Sequence, residues 1–455
     1  MRLFRVAPLG RVVLLLGLAG GLLLVGCGHT TDAEQAANQY AAQEMAAAAP
    51  HGNLPDYALP PEKLAQAQEL ASLRVTIHFA GEAWGIVQLL LLLWVGAIGW
   101  FRDVAVRTGR NRWVQAYVFL LLFLAAGFVL DLPIDLYAHH LSLRYGLSVQ
   151  GWASWFGDVG KSFGLEWLVG GLLVMLLFRV IRRFPRRWWL AGWGCAIPVL
   201  LFAVFVAPYI EPLYNHYEPL EKTQPALVAR LEQVAQRGHM RIPPERMYLM
   251  RASAKTTTLN ADVEGFGHSK RLVVWDTTIA DATPDEILFI FGHESGHYVL
   301  GHIVQGVLLS FVAALVLLWL GFHFVRWAIA RFGRSWRVPA QEDWAALAVL
   351  VLAFSVFSVF MEPIGCAFSR HIEHAADVYG QEAIHGIVAD PQTTAKDAFD
   401  LLGETSLDDP NPSPLVEFWS YDHPATGRRA AFAKAYDPWV EGYMPRYLGR
   451  TDSRQ

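Results

Sequence analysis

A mainly α-helical, polytopic membrane protein with an α+β polar unit is the fold class this chain predicts, and three observations predict it. Of its 455 residues 54% are hydrophobic and only 17% charged, whereas soluble domains run at about 25% charged, so much of the surface faces lipid. Long runs without Lys, Arg, Asp or Glu recur at the roughly 20-residue length that a bilayer core about 30 Å thick demands. The Lys and Arg residues crowd into alternate loops between those runs. The near balance of 37 basic and 41 acidic residues, a net charge of -4, argues against a nucleic-acid partner. Three cysteines are too few for a disulfide framework, and Cys195 and Cys366 sit inside apolar runs, so no redox or Cys–zinc chemistry is implied.

Taken in chain order, the first apolar run, 12–26, follows Arg2, Arg5 and Arg11 and ends in Leu24-Val25-Gly26-Cys27. That ending is similar to the lipobox of a bacterial lipoprotein signal, which is cleaved before the Cys; an uncleaved first membrane helix is the alternative. Residues 1–27 are therefore expected to be a signal or anchor segment. Residues 28–75 are expected to be an exported tether, Ala- and Gln-rich until a helical pattern resumes at Pro60. About six internal transmembrane helices follow, at 84–100, 113–130, 165–178, 188–210, 303–325 and 344–360. Arg102, Arg107, Arg110 and Arg112 fall in one loop, Arg179, Arg182, Arg183, Arg186 and Arg187 in the next on that side, and Arg326, Arg331, Arg334 and Arg337 in the last. These loops are expected in the cytoplasm. The opposite loops carry only Lys63 and Arg74, then Arg144 and Lys161. Trp100, Trp113, Trp188, Trp189, Trp327 and Trp344 stand at the same boundaries, where an amphipathic indole is comfortable. The polar stretches 211–302 and 369–455 then lie on the exported side, separated by the membrane stretch 303–368 and preceded by that of 76–210.

The sharpest chemical signal is His293-Glu294-Ser295-Gly296-His297. On a helix the two histidines stand one turn and about 40° apart, so both imidazoles reach one ion, and Glu294 is angled to take a proton from a metal-bound water. The helix has a strong start in Thr283-Pro284-Asp285-Glu286, which offers a hydroxyl cap, a proline at the first helical position and a capping-box glutamate. Ile287, Leu288, Ile290 and Phe291 supply its apolar face. The competing bland reading is a pair of satisfied histidines in a membrane-adjacent helix. His302 is excluded as a third ligand from the same helix, because five residues rotate it by about 140°.

A catalytic zinc site takes three protein ligands and keeps one position open. The third is sought in Ser369-Arg370-His371-Ile372-Glu373-His374-Ala375-Ala376-Asp377, where Arg370, Glu373 and Asp377 share a helical face. A carboxylate ligand, a supporting acid and a cation could converge there. A solvated, charge-laced helix is the alternative, and His371 and His374 remain rival donors, His374 the nearer to that face.

The arrangement resembles the CAAX prenyl protease 1 family of multi-spanning membrane zinc metallopeptidases, which belong to the glutamate-liganded zincins. Four blocks carry the resemblance over about residues 57–447: Asn260-Ala261 with Gly265 and the Lys270 to Thr277 run, the HExxH segment, Ser369 to Asp377, and Asp422-His423-Pro424 with Arg429. The resemblance implies a zincin-like α+β catalytic domain built from the long loop and the C-terminal tail. It implies one Zn2+ held by His293, His297 and Glu373, with Glu294 as general base and Asp377 as a nearby acid able to donate a proton. Asn260 and His423 would contact the substrate backbone or the tetrahedral intermediate. Arg271 to Thr277 reads as an edge strand that pairs with extended substrate. Family members enclose a chamber among their membrane helices, which Asp131, Asp135 and Glu362 could line. Asp262 stands where the family usually carries an aromatic residue. Eukaryotic relatives trim prenylated C-termini on the cytosolic side, whereas the Arg pattern here exports the catalytic side, which argues against prenylated substrates.

The expectation is a membrane-embedded zinc metalloendopeptidase that hydrolyses polypeptides in envelope or membrane-protein quality control, in a bacterium at the inner membrane facing the periplasm. A site-2-type intramembrane protease would hold its metal acid in a later membrane helix, but Leu407-Asp408 falls in the polar tail. A catalytically idle zinc scaffold or chaperone would have no need of Glu294 as a base.

Overall fold

The computed structural model describes residues 59–265, 270–440 and 443–449. The leader and its lipobox lie outside the described residues. Helix α1 runs over Pro61–Trp94, α2 over Ala97–Arg107, α3 over Arg112–Arg144, α4 over Trp152–Arg183 and α5 over Trp188–Ile210. Later in the chain come α9, His302–Trp336, and α10, Ala346–Ile384. Helices α1, α3, α4, α9 and α10 are long and apolar enough to cross a membrane, while the described apolar stretch of α5, Trp188–Phe202, is shorter.

Helices α3, α4, α9 and α10 run on past the spans predicted for them, whereas α5 coincides with 188–210. A search for uncharged runs ends at the first acid, but a helix continues wherever that acid is paired inside the protein. The run 113–130 stops before Asp131, yet α3 continues to Arg144, and Gln88 of α1 donates to Asp131 at 3.1 Å. Glu362 is met in the same way by His78 Nε2 at 2.8 Å. Conversely, the expected span 84–100 crosses a break: Gly96 adopts φ 75° between α1 and α2, a left-handed conformation that glycine enters without strain. A Cβ on nearby Gly99 would meet Arg337 Cβ at 2.7 Å, so the chain passes close against the loop after α9.

The membrane helices bury Phe119, Leu120, Phe178, Trp188, Leu317 and Val349 in one apolar core. The three Arg-rich loops meet at one end of these helices. Arg102 donates to Asp343 at 2.6 Å, Arg337 pairs with Asp103, and Gln341 bridges Trp188 Nε1 at 3.2 Å and the Pro185 carbonyl at 2.7 Å.

The opposite end carries the α+β unit. Strands β1 (Tyr217–Pro219), β2 (Met247–Met250), β3 (Ala261–Glu264) and β4 (Arg271–Trp275) form one sheet in the order β1-β2-β4-β3. The β2–β4 pair is parallel and the other two are antiparallel. The Arg271 run is therefore an interior strand, and the edge beside it is β3. Strand position is set by tertiary pairing, which the Val-Val-Trp composition does not encode. Around the sheet lie α6 (Pro225–Arg237), α7 (Asp276–Asp281), α8 (Pro284–Val299), α11 (Pro391–Ser406), α12 (Pro414–Ser420) and α13 (Thr426–Ala435). Leu231, Leu272, Val274, Phe289, Phe291 and Phe399 form this unit's own core.

Among the polar contacts that join the unit to the membrane helices, two involve buried or part-buried charges. Lys255 donates to Asp158 of α4 at 2.5 Å, and Arg74 of α1 donates to the Ser406 carbonyl at 3.1 Å. A third joins it to the chain's tail: buried Glu382, near the end of α10, accepts from Tyr436 Oη at 2.6 Å and from the N–H groups of Arg446, Tyr447 and Leu448 at 2.6, 2.8 and 2.7 Å.

Candidate metal centre

Helix α8 begins as its sequence predicts. Thr283 Oγ1 accepts from Glu286 N, Glu286 Oε2 accepts from Thr283 N at 2.7 Å, and Pro284 occupies the first turn, so the orphan donors of the helix start are satisfied reciprocally. The helix then packs against α10 with almost no side chain between them. A Cβ on Gly380 would lie 2.7 Å from His293 N, one on Gly292 3.0 Å from Gly380 O, and one on Gly296 3.1 Å from Tyr379 Cβ. This close approach brings Glu373 of α10 opposite the two histidines of α8.

His293, His297 and Glu373 each offer one ligand atom, and these atoms all lie within 4.8 Å of one another. Nε2 of His293 is 3.3 Å from Glu373 Oε2, Nε2 of His297 is 3.5 Å from Glu373 Oε1, and the two Nε2 atoms are 3.1 Å apart. Buried Glu373 Oε2 has no hydrogen-bond donor in bonding geometry, although His423 Nε2 stands 3.1 Å away. Two imidazole lone pairs and a carboxylate aimed at one another repel unless positive charge lies among them. Two nitrogens and one carboxylate form a donor set that suits a zinc ion, so the residues present fit the group.

Glu294 Oε1 lies 3.9 Å from His293 Nε2, and 23% of its side chain is exposed. Burial, against the opposing charge of His293 and with Asp262 and Glu373 nearby, pushes its carboxyl up to about 8. Asp377 sits behind the cluster. Its Oδ1 is 2.8 Å from His293 Nδ1, and Arg429 grips the carboxylate with two donors, at 2.9 and 2.6 Å. A carboxylate held by a guanidinium fork against the outer nitrogen of a candidate ligand is placed to orient that imidazole.

The cation that meets Asp377 is Arg429 of α13, 52 residues away, rather than Arg370, whose guanidinium donates to the carbonyls of Glu417 and Tyr421 at 2.8 and 2.6 Å. That bond fixes the turn leading to His423. His374 faces away, edge-on to Phe432 at 4.6 Å, and neither it nor exposed His371 joins the ligand group. His423, with 44% of its side chain exposed, spans Glu373 Oε2 and Asp422 Oδ1, at 3.1 and 2.9 Å. Burial lowers its imidazole's pKa, but Asp422 and Glu373 outweigh that and raise it to about 9. Asn260 leads into edge strand β3, and its Nδ2 donates to Asp262 at 2.9 Å. Trp275 N bonds Asn260 O at 3.2 Å, so alternate pairing turns the backbone groups of Ala261 and Val263 away from β4. Asp408 lies apart from the cluster, 3.4 Å from Arg74 Nη1.

Comparison with known proteins supplies the family. A profile described as CAAX prenyl protease N-terminal, five membrane helices, matches residues 47–216, and one for peptidase family M48 matches residues 221–437. The "uncharacterized metalloprotease YhfN" of Bacillus subtilis is 32% identical over 388 residues, which cover 82% of this chain and 86% of that protein. CAAX prenyl protease 1 of Saccharomyces cerevisiae is 24% identical over 334 residues, or 69% and 71% of the two chains. The crystal structure of S. mikatae Ste24p shares the fold with a TM-score of 0.71 at 20% identity, over 89% of this chain and 99% of that one. Both halves of the molecule, the helices long enough to cross a membrane and the unit that carries the HExxH helix, thus lead to one conclusion: the chain belongs to peptidase family M48, a family of metallopeptidases.

Proposed function

We propose that the protein is a membrane-embedded zinc endopeptidase whose catalytic side faces away from the cytoplasm, towards the periplasm if the cell is a bacterium, and that it clears damaged membrane or envelope polypeptides. One observation carries the peptidase reading: three ligand atoms within 4.8 Å of one another with Glu294 beside them. The Arg-rich loops gathered at the opposite end carry the orientation. In this reading residues 211–302 and 369–455 form the catalytic unit, and 76–210 and 303–368 the membrane unit.

His293, His297 and Glu373 would hold the ion. When bound it supplies Lewis acidity to the scissile carbonyl and to the attacking water, and its charge draws the Glu294 carboxyl back down. Glu294 accepts a proton from that water at Oε and passes it to the departing amine. Asp377 holds His293 in one orientation. His423, kept protonated by Asp422, donates to the oxygen that becomes negative as water adds. The outward backbone of Ala261 and Val263 pairs with an extended substrate as an added strand, which favours flexible polypeptides. A substrate oxygen competes with Asp262 for Asn260 Nδ2.

The test is cleavage of an unfolded reporter by detergent-purified wild type and Glu294→Gln, with metal content measured for both. Wild type should cut, and the variant should retain zinc but lose at least about 100-fold in rate, at the lower end for a lost general base. A variant that binds zinc and cuts like wild type would sink the role of Glu294. Zinc in both with cutting by neither would favour an idle scaffold.

A further inference from the structure

The two histidines of the HExxH helix are supported differently. His293 Nδ1 meets a carboxylate, Asp377, at 2.8 Å. His297 Nδ1 meets a third imidazole, His302 Nδ1, at 3.1 Å. His302 would lie on another face of α8 if that helix continued, but it does not continue. Leu300 N closes the last turn on Gly296 O, Gly301 takes φ 72°, and His302 opens α9 with its ring edge-on to His297, centroids 5.0 Å apart. His302 is only 5% exposed, so the contact is shielded from water.

One proton must lie between these two Nδ1 atoms for the contact to attract. If it sits on His297, that ring presents a bare Nε2 lone pair to the ligand cluster. If it sits on His302, His297 carries its proton on Nε2 and cannot ligate. We infer that His302 is a positioning residue that accepts the His297 Nδ1 proton and thereby fixes the ligating tautomer and ring orientation of His297. The inference rests on the zinc reading above. It also ties the centre to the membrane, because the accepting imidazole belongs to a helix long and apolar enough to cross it.

Two amides separate this role from bulk. H302N places a carbonyl oxygen where the imidazole has Nδ1, whereas H302Q extends its amide to the Nε2 position. The full-length proteins would be purified in detergent, stripped of metal and titrated with Zn2+ against a chelating dye, with melting temperatures taken metal-free. H302N should bind within a few-fold of wild type, and H302Q should bind about 10- to 100-fold more weakly, the usual effect of losing a ligand's outer partner. The Co2+-loaded absorption spectrum should be preserved in H302N and altered in H302Q. Equal affinities for both variants and wild type would overturn the inference, as would an H302N loss as large as that of H302Q with wild-type melting temperatures. If H302Q fails to fold, H302L takes its place in the comparison. Absence of Zn2+ binding by wild type itself would instead overturn the zinc reading.

Discussion

Between the His293 imidazole and the Arg429 guanidinium, the Asp377 carboxylate has little freedom to move or to change charge, and both partners depend on it. Arg429→Ala would leave a buried carboxylate uncompensated, and the expected cost is about 3–5 kcal/mol of stability. A weaker hold on zinc should accompany it; thermal melting and chelator competition measure the two. Arg429→Lys keeps the charge without the fork and should fall between. A second residue gives a pH signature. Burial and the adjoining Glu211 push Glu264 up to about 7 in spite of Arg271. An acid with a raised pKa binds its proton more tightly folded than unfolded, so its contribution is fully present below about 4.5 and is lost as pH rises through about 7. Glu264→Gln should flatten the fall in melting temperature between about pH 5 and 7. At this scale the sequence makes the His293–His297 pair legible, because one helical turn sets their separation. It does not reveal the partner of Asp377 or the reach of His302. The first lies 52 residues away on another helix, and the second depends on a left-handed Gly301 that ends a helix where a continuous one was assumed.

The contact of α8 with α10 is made by glycines, and Gly380 is the tightest, 2.7 Å from His293 N if a Cβ is added. Gly380→Ala must push backbone against backbone, with an expected destabilisation of about 1–3 kcal/mol and loss of zinc as Glu373 moves off the histidines. Gly306→Ala on α9, where an added Cβ meets nothing within 4 Å, should melt like wild type and serves as the control. Helices were legible here through apolar runs and caps, the latter most clearly at Thr283. Their lengths were not, because Asp131 and Glu362 are matched by Gln88 and His78 rather than ending the structure. The edge strand escaped for a related reason: β3 contains Asp262 and Glu264, while the apolar β4 lies inside the sheet.

For the molecule as a whole, the alternation of arginines implies a definite topology, and labelling tests it. In a cysteine-free background, a membrane-impermeant maleimide added to intact cells stripped of their outer barrier should modify Ser413→Cys. It should reach Gly109→Cys only after permeabilisation. The opposite pattern would place the HExxH helix on the cytoplasmic side and restore prenylated substrates as candidates. The family was legible from four short blocks because they bring together a candidate ligand set, a candidate base and an outer partner, which together constrain the fold far more than composition does.

The carboxylate of Glu382 holds the backbone at Arg446, Tyr447 and Leu448, and Arg429 reaches Asp377 from the same tail. During synthesis the HExxH helix therefore leaves the ribosome more than a hundred residues before the parts that steady it. A nascent chain therefore holds its first two candidate ligands long before it holds the third in position. On the proposed zinc reading, assembly order would delay proteolysis until the tail has folded. A chain stopped after Tyr421 should insert normally yet fail to retain zinc.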